Sequence, residues 1–243
     1  VKTSQRLQQI DTMITQRYDH IWDCCCDHGL LGYRLLRREA TRTVHFVDVV
    51  EPLIAEVRTK LQRFFTQGFP EHSWEVHCTD VAALQVSSAA LGSPERSYDS
   101  SSESTHENRC KSSHLMVIAG VGGDLLIELV RGLLNANPDQ NLEFLLCPVY
   151  HNYKVREALV DMGFGLLNEN LMRENNHFYE IMHVSTDARE PISLAGSMMW
   201  DFSREDDREY LARTINHYQR MSKNPGRDVQ RVIDAYQALG CVL

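Results

Sequence analysis

His20-Ile21-Trp22-Asp23-Cys24-Cys25-Cys26-Asp27-His28-Gly29 is the stretch on which the fold turns. Its apolar run reads as a buried strand, and Asp27-His28-Gly29 reads as the turn that ends it. Downstream, Leu30 to Glu39 carries Leu31, Leu35 and Leu36 on one helical face. Thr43 to Val49 is a second strand, Leu53 to Phe65 a second helix, and Trp74 to Cys78 a third strand closing at Thr79-Asp80. His114 to Ala119 is a fourth strand that enters Gly120-Val121-Gly122-Gly123, and Leu125 to Leu134 is helical. Leu142 to Cys147 is a fifth strand stopped by Pro148, and Val155 to Met162 is a helix closed by Gly163, a common residue just past a helix end. Upstream, Thr3 to Thr15 has apolar residues at 7, 10 and 14, which is helical spacing.

Strands alternating with helices of this length predict a parallel sheet with helices on both faces. The last two strand-like runs, Phe164 to Leu171 and Tyr179 to Val184, leave no room for a helix between them. They must pair as a hairpin and bring an antiparallel strand into the sheet. The expected fold class is therefore α/β, a doubly wound, Rossmann-like sheet with a terminal antiparallel hairpin strand. That ending resembles the methyltransferase variant of the doubly wound fold. Residues 1–186 are expected to form this domain, and residues 187–243 a small C-terminal α-helical, coiled-coil-like hairpin. Within the second part, 187–199 reads as a linker and Ser203-Arg204-Glu205-Asp206 as a helix start with a Ser cap. Leu211, Ile215, Tyr218 and Met221 keep helical spacing, Asn224-Pro225-Gly226 breaks it, and Val229 to Leu239 resumes it. Residues 87–113, rich in Ser with no apolar period, read as a long surface loop inserted before the fourth strand.

The composition limits the function classes. The chain has 243 residues, a net charge of −8 and 43% hydrophobic residues, enough for a real core. The acidic balance argues against a protein that simply coats nucleic acid, but leaves room for a local basic face. No run approaches the length of a membrane span, so no membrane association is expected. The first twenty residues mix Arg6, Asp11, Arg17 and Asp19 with apolar positions, unlike a signal peptide. A chain opening at Val1 is read as one whose initiator Met, or more, has been removed. The seven cysteines are odd in number, lack a Cys-x-x-Cys and fall largely in buried strands, which fits a reducing, cytoplasmic setting. Cys26, Asp27 and His28 are metal-ligand types, but neighbours along one strand rarely close a tetrahedron, so no metal is expected.

Ligands of open parallel sheets bind at the carboxyl ends of the strands, near the point where strand order reverses. Carboxylates fall at three successive ends: Asp23 and Asp27, Asp48, and Asp80. Any one of them alone is also explained as a turn residue or helix cap. Asp48 lies about 20 residues past the first turn, the spacing at which an acid meets a ribose diol. Asp80 suits an adenine amino group, and an acidic first turn suits a sulfonium or ammonium rather than a pyrophosphate. A nicotinamide site needs Gly-x-Gly-x-x-Gly in that turn. The turn here is Cys24-Cys25-Cys26-Asp27-His28-Gly29, and Gly120-Val121-Gly122-Gly123 fails the same pattern at Leu125.

These residues together resemble a family. Asp23-Cys24-Cys25-Cys26-Asp27-His28, Val47-Asp48-Val49-Val50-Glu51-Pro52, Ile118-Ala119-Gly120-Val121-Gly122-Gly123, Leu146-Cys147-Pro148 and Phe178-Tyr179-Glu180-Ile181 look like the bacterial TrmK-type tRNA (adenine-22-N1)-methyltransferases. Ser4-Gln5-Arg6-Leu7, Val155 to Leu159 and Glu169 to Glu174 match in order, so the similarity runs from about residue 3 to 184. The resemblance implies S-adenosylmethionine as cofactor and adenine N1 in tRNA as methyl acceptor. It implies that Asp23, Cys25, Asp27 and His28 line the methionine end, with Asp27 and His28 nearest the reacting centre. For His28, bonding the turn backbone stands beside the catalytic role. Asp48 with Val49 would take the ribose, Asp80 with Val81 the adenine, and Ala119, Gly120 and Gly122 the cofactor's open side.

For the RNA, the expected contacts are Arg6, Arg34, Arg38, Tyr150, Arg220 and Arg227. Arg34 and Arg38 come from one basic cluster, Arg34 to Arg42, and Arg220 and Arg227 from another, Arg213 to Arg231, each of which also reads as a solvated helix face. Two departures from the family pattern matter. Cys25 stands where the family has Gly, and Cys147-Pro148-Val149 where it has Gln-Pro-Asn, an amide suited to the target base. Two other readings therefore stay open: a methyltransferase with a different RNA or small-molecule acceptor, and a non-catalytic relative that acts as a binding module.

Overall fold

The computed structural model describes residues 4–65, 73–86, 112–223 and 229–240. Nearly all of the serine-rich stretch, the Asn224-Pro225-Gly226 break and Arg227 lie outside the described residues. The elements, in order, are α1 (Gln5–Met13), β1 (Tyr18–Cys24), α2 (Leu30–Arg37), β2 (Thr41–Asp48), α3 (Glu51–Phe64), β3 (Ser73–Cys78), a short 3-10 turn (Val81–Ala83) and β4 (His114–Ala119). Then come α4 (Gly123–Ala136), β5 (Leu142–Cys147), α5 (Asn152–Asp161), β6 (Gly165–Glu174), β7 (His177–Ser185), β8 (Glu190–Pro191), α6 (Glu205–Met221) and α7 (Gln230–Gly240).

The strands form one sheet in the order β3-β2-β1-β4-β5-β7-β6-β8. From β3 to β5 all pairs are parallel, and β7 enters antiparallel between β5 and β6. The expected hairpin is present, and its chemistry is local. Asn175 and Asn176 join β6 to β7 with φ of 49° and 64°. Two left-handed residues make a turn whose twist matches the flanking strands, and Asn tolerates that conformation. Burial follows the parallel-sheet rule that central strands are apolar on both faces. One face packs α4, α5 and the 3-10 turn around Met116, Phe144, Leu126, Val130 and Leu159. The other packs α1, α2 and α3 around Ile21, Phe46, Leu35, Val57 and Leu115.

The stretch read as a linker is tied into the fold. Glu190 and Pro191 add an edge strand to β6, and Ile192, Ala195 and Met199 are buried. A two-residue strand has no periodicity to read, so the sequence offered no signal there. The buried carboxylate of Glu169 holds the segment, its Oε1 accepting the N–H groups of Ser197, Met198 and Met199 at 2.5, 2.6 and 3.3 Å. Glu169 and Glu180 both receive Arg156, at 2.7 and 2.8 Å, and all three side chains are shielded from solvent. The start of α6 also differs from expectation. Ser203 bonds back to Asp201 instead of capping the helix, and Asp207 from the first turn accepts the Asp201 N–H at 2.7 Å. The helical hairpin closes on the sheet domain through Leu211, Val232 and Tyr236 packed with Tyr153 of α5. No helix among the described residues is long and apolar enough to cross a membrane.

Candidate functional site

The register aligns the carboxyl ends of the five parallel strands. Cys24 pairs with Val47 and Ile118, Asp48 with Cys78, and Ala119 with Cys147. Strand order reverses between β1 and β4, so Cys24 and Ile118 mark the place where sheets of this kind take their ligands.

The turn after β1 forms the floor. Cys25 and Asp27 both sit in the left-handed region, at φ 57° and 50°. Such a conformation costs a non-glycine residue about 1–2 kcal/mol. Cys25 thus keeps the backbone path open to glycine at this position instead of taking a different one. Burial, then the charges of Asp48, Asp23 and Asp80, push its thiol up to about 11. The thiol stays protonated near neutrality and is no nucleophile.

Those acids differ in environment. Asp48 is buried, and each oxygen takes one backbone donor: Oδ2 from Asp27 N–H at 3.1 Å and Oδ1 from Val50 N–H at 3.0 Å. A carboxylate oxygen has capacity for a second donor, so the pair can still receive two hydroxyls. Asp23 is fully enclosed and accepts the Gly32 N–H at 2.9 Å. Burial raises its pKa to about 7. It therefore acts as a support under the turn. Asp80 is exposed and caps the 3-10 turn through the Ala82 N–H at 2.9 Å. Val49 and Val50 next to Asp48 are 63% and 43% exposed, an apolar edge suited to the flat face of a base. Val81 is buried in the core, so its side chain is unavailable to a ligand.

Asp27 and His28 lie at the rim. The imidazole of His28 is 3.7 Å from Asp27 and 3.6 Å from Glu56 on α3, an acid that the sequence reading missed because it lies 28 positions away.

Opposite the acidic turn, the loops after β4 and β5 are laced together. Val149 N–H meets the Val121 carbonyl at 2.9 Å, and Gly123 N–H meets that of Tyr150 at 3.1 Å. Gly123 is the tighter position, because a Cβ on it would lie 2.7 Å from the backbone carbonyl oxygen of Tyr150, whereas one on Gly122 would meet the movable end of the Tyr150 ring. Tyr150 itself is 54% exposed. Gly120 has φ 83°, and a Cβ there would find just the Arg6 guanidinium, at 3.6 Å. Arg6 reaches this edge from α1, its guanidinium 4.8 Å from the Tyr179 ring centre and its buried Nε without a partner.

The structure also redirects two expected contacts. Arg34 and Arg38 converge on the buried carboxylate of Asp11 at 2.7 and 2.6 Å, which pins α2 to α1. Their guanidinium groups thus serve the packing of α2 on α1, while both side chains stay 39% exposed. Arg220 is exposed on α6, its Nε bonding the Asn216 carbonyl. Beside Tyr150 a groove of about 400 Å³ runs past His177, Phe178, Arg213 and Tyr218. Arg213 and Arg173 both lie over the Phe178 ring, at 5.4 and 5.3 Å. The reading from sequence did not assemble this groove, since its members come from β5–α5, the β6–β7 turn and α6.

Fold and site together define a doubly wound α/β protein with carboxylates at the strand ends beside its switch point. The chain belongs to the methyltransferase-domain family, whose model matches residues 3–90 and 98–182. No curated protein is similar to it in sequence. Among solved structures, a candidate tRNA (m1A22) methyltransferase of Streptococcus pneumoniae, in complex with S-adenosyl-L-methionine, aligns with a TM-score of 0.71 at 18% identity over 100% of both chains. M. capricolum TrmK in complex with S-adenosyl-homocysteine aligns at 0.68 and 14% identity, over 98% of this chain and 97% of that one. The B. subtilis m1A22 tRNA methyltransferase TrmK aligns at 0.67 and 14% identity, over 99% and 95%. At such identities the likeness establishes a shared fold, including its C-terminal helices.

Proposed function

We propose that this methyltransferase uses S-adenosylmethionine to methylate N1 of adenine in tRNA. The observation that carries the reading is the carboxylate of Asp48 at the end of β2, bonded to the N–H of Asp27 in the left-handed turn that follows β1. The residues present fit the cofactor. Asp48 has acceptor capacity for the ribose hydroxyls, the exposed Val49 and Val50 offer a face for the adenine, and Asp80 lies at the next strand end. When bound, the cofactor supplies an electrophilic methyl group on a sulfonium.

This chain's residues then have a modest task. Neutral adenine N1 carries a lone pair, so no general base is required, and positioning supplies most of the rate. Asp27 and His28 at the rim are closest to the reacting side in this reading, and the Asp27 carboxylate favours the positive charge of the methylated base. A paired or stacked target nucleotide must be extruded to reach the crevice. The exposed Tyr150 ring and the aromatic groove beside it provide stacking surface, a role that suits an exposed Val149 in place of an amide. Arg6 and Arg220 supply charge for phosphates.

The test is transfer of labelled methyl from S-adenosylmethionine to unmodified bulk tRNA, followed by digestion to nucleosides. Label in 1-methyladenosine supports the proposal. Label in another nucleoside assigns a different acceptor, and no label from folded protein removes tRNA as the substrate.

A further inference from the structure

Away from the crevice, at the β3 edge of the sheet, the structure gathers imidazoles that the methyl-transfer reading does not use. Register brings His45 of β2 opposite Glu75 of β3, and His77 follows two residues along, on the same face. His45 Nδ1 lies 3.1 Å from His77 Nε2 and 3.4 Å from Glu75 Oε2, and His77 Nε2 lies 3.5 Å from Glu75 Oε2. Three such atoms around one zinc ion, at the usual bond length of about 2.0–2.1 Å, stand about 3.3–3.4 Å apart when the geometry is tetrahedral. The observed triangle has that size.

We propose that His45 Nδ1, Glu75 Oε2 and His77 Nε2 form a zinc site. The second shell is built to match. His45 Nε2 lies 2.9 Å from His20 Nδ1. If His45 carries its proton on Nε2 and donates it there, Nδ1 is left as a bare lone pair toward the metal. The His45 ring is fixed by Trp22, stacked at 3.7 Å and 9°. Trp22 in turn donates to His114 Nδ1 at 3.2 Å, and His114 stacks on His20 at 4.8 Å. His45 is buried, whereas the Glu75 side chain is 52% and that of His77 27% exposed. The ion thus has a rigid anchor on one side and an approach from solvent, with a fourth position left for water. Two imidazoles and a carboxylate are a set that zinc accepts, and calcium or magnesium, which take oxygen ligands, do not. The site joins an edge strand to its neighbour, so its effect is to clamp β3. The sequence reading looked for metal ligands among adjacent residues and passed over a set divided between two strands.

The test uses untagged full-length protein stripped with chelator and titrated with zinc chloride alone. One equivalent is expected to bind and to raise the thermal midpoint by several degrees. Cobalt(II) in its place is expected to show the visible absorption of a four-coordinate ion. Glu75→Gln, at an exposed side chain that leaves the core intact, and His77→Gln are each expected to weaken zinc at least tenfold. Cys78→Ser, which removes the exposed thiol next to His77, is expected to bind zinc as the parent does. Absence of stoichiometric zinc, undiminished affinity in both the Glu75 and His77 variants, or loss of binding in Cys78→Ser would each overturn the assignment.

Discussion

Asp48 and Asp27 are joined by one hydrogen bond, from the backbone N–H of Asp27 to Oδ2 of Asp48 at 3.1 Å. It links the end of β2 to the turn after β1, so the acid proposed for the ribose also fixes the floor beneath the cofactor. The bond braces a turn in which Asp27 stands at φ 50°, a conformation that aspartate tolerates better than most non-glycine residues. Site geometry and ligand affinity are therefore coupled at Asp48.

Asp23 places a stability cost in the same region. Burial raises its carboxyl to about 7 in the folded protein, against 3.8 for an aspartate in water. The folded state holds the proton more tightly, so this contribution is fully present below about pH 4 and is lost as pH rises through 7. Asp23→Asn keeps an oxygen for the Gly32 N–H and removes the titration. Its unfolding free energy relative to the parent is expected to rise by on the order of 2–3 kcal/mol between pH 5 and pH 8. Urea melts across that range provide the check, and a difference independent of pH would contradict it.

The left-handed turn makes a second prediction. Cys25→Gly relieves strain but frees the unfolded chain, and the two effects are similar in size, so stability is expected to change by less than about 1 kcal/mol. Cys25→Val puts a β-branched side chain at φ 57° and is expected to cost about 2 kcal/mol or more. Thermal melts of the two variants decide it, and a Val variant as stable as the Gly variant would show that the turn is not strained.

Arg156 holds Glu169 and Glu180 in a site closed to solvent, and donates to the Ser193 carbonyl at 2.9 Å. Glu180 also receives the Tyr210 hydroxyl of α6 at 2.5 Å. Arg156→Met leaves two buried carboxylates without their cation and is expected to cost about 3–5 kcal/mol. A loss below 1 kcal/mol in denaturant titration would mean that this network does not secure the 193–199 segment.

Arg220 tests the RNA face apart from the crevice. Arg220→Glu is expected to weaken tRNA binding several-fold and to lower the slope of log affinity against log salt by about one. Affinity for S-adenosylhomocysteine should not change. Filter binding at several salt concentrations supplies the measurement, and parental RNA affinity in the variant would remove α6 from the interface.

Much of this was legible before any coordinates. Apolar runs ending in Asp23, Asp48, Asp80 and Ala119-Gly120 mark strand ends directly, because a parallel strand is buried on both faces and polarity returns where it stops. The hairpin followed from spacing alone. What escaped depended on partners far apart in sequence. Arg34 and Arg38 read as a basic patch until Asp11 is seen between them, and Glu56 is invisible to a reading of the first turn. Arg156, Glu169 and Glu180 stood in family-like segments with no assigned role, since their pairing needs α5, β6 and β7 in place. The same holds for His45, Glu75 and His77, which only the β2–β3 register brings together.

The central claim is that the crevice at the strand ends binds S-adenosylmethionine through Asp48. Calorimetric titration of S-adenosylhomocysteine into the parent and Asp48→Asn proteins addresses it most directly. One site is expected in the parent, with affinity reduced at least tenfold in the variant, a loss of about 1.4 kcal/mol or more. Absence of binding to the folded parent, or equal affinity in the two proteins, would contradict it.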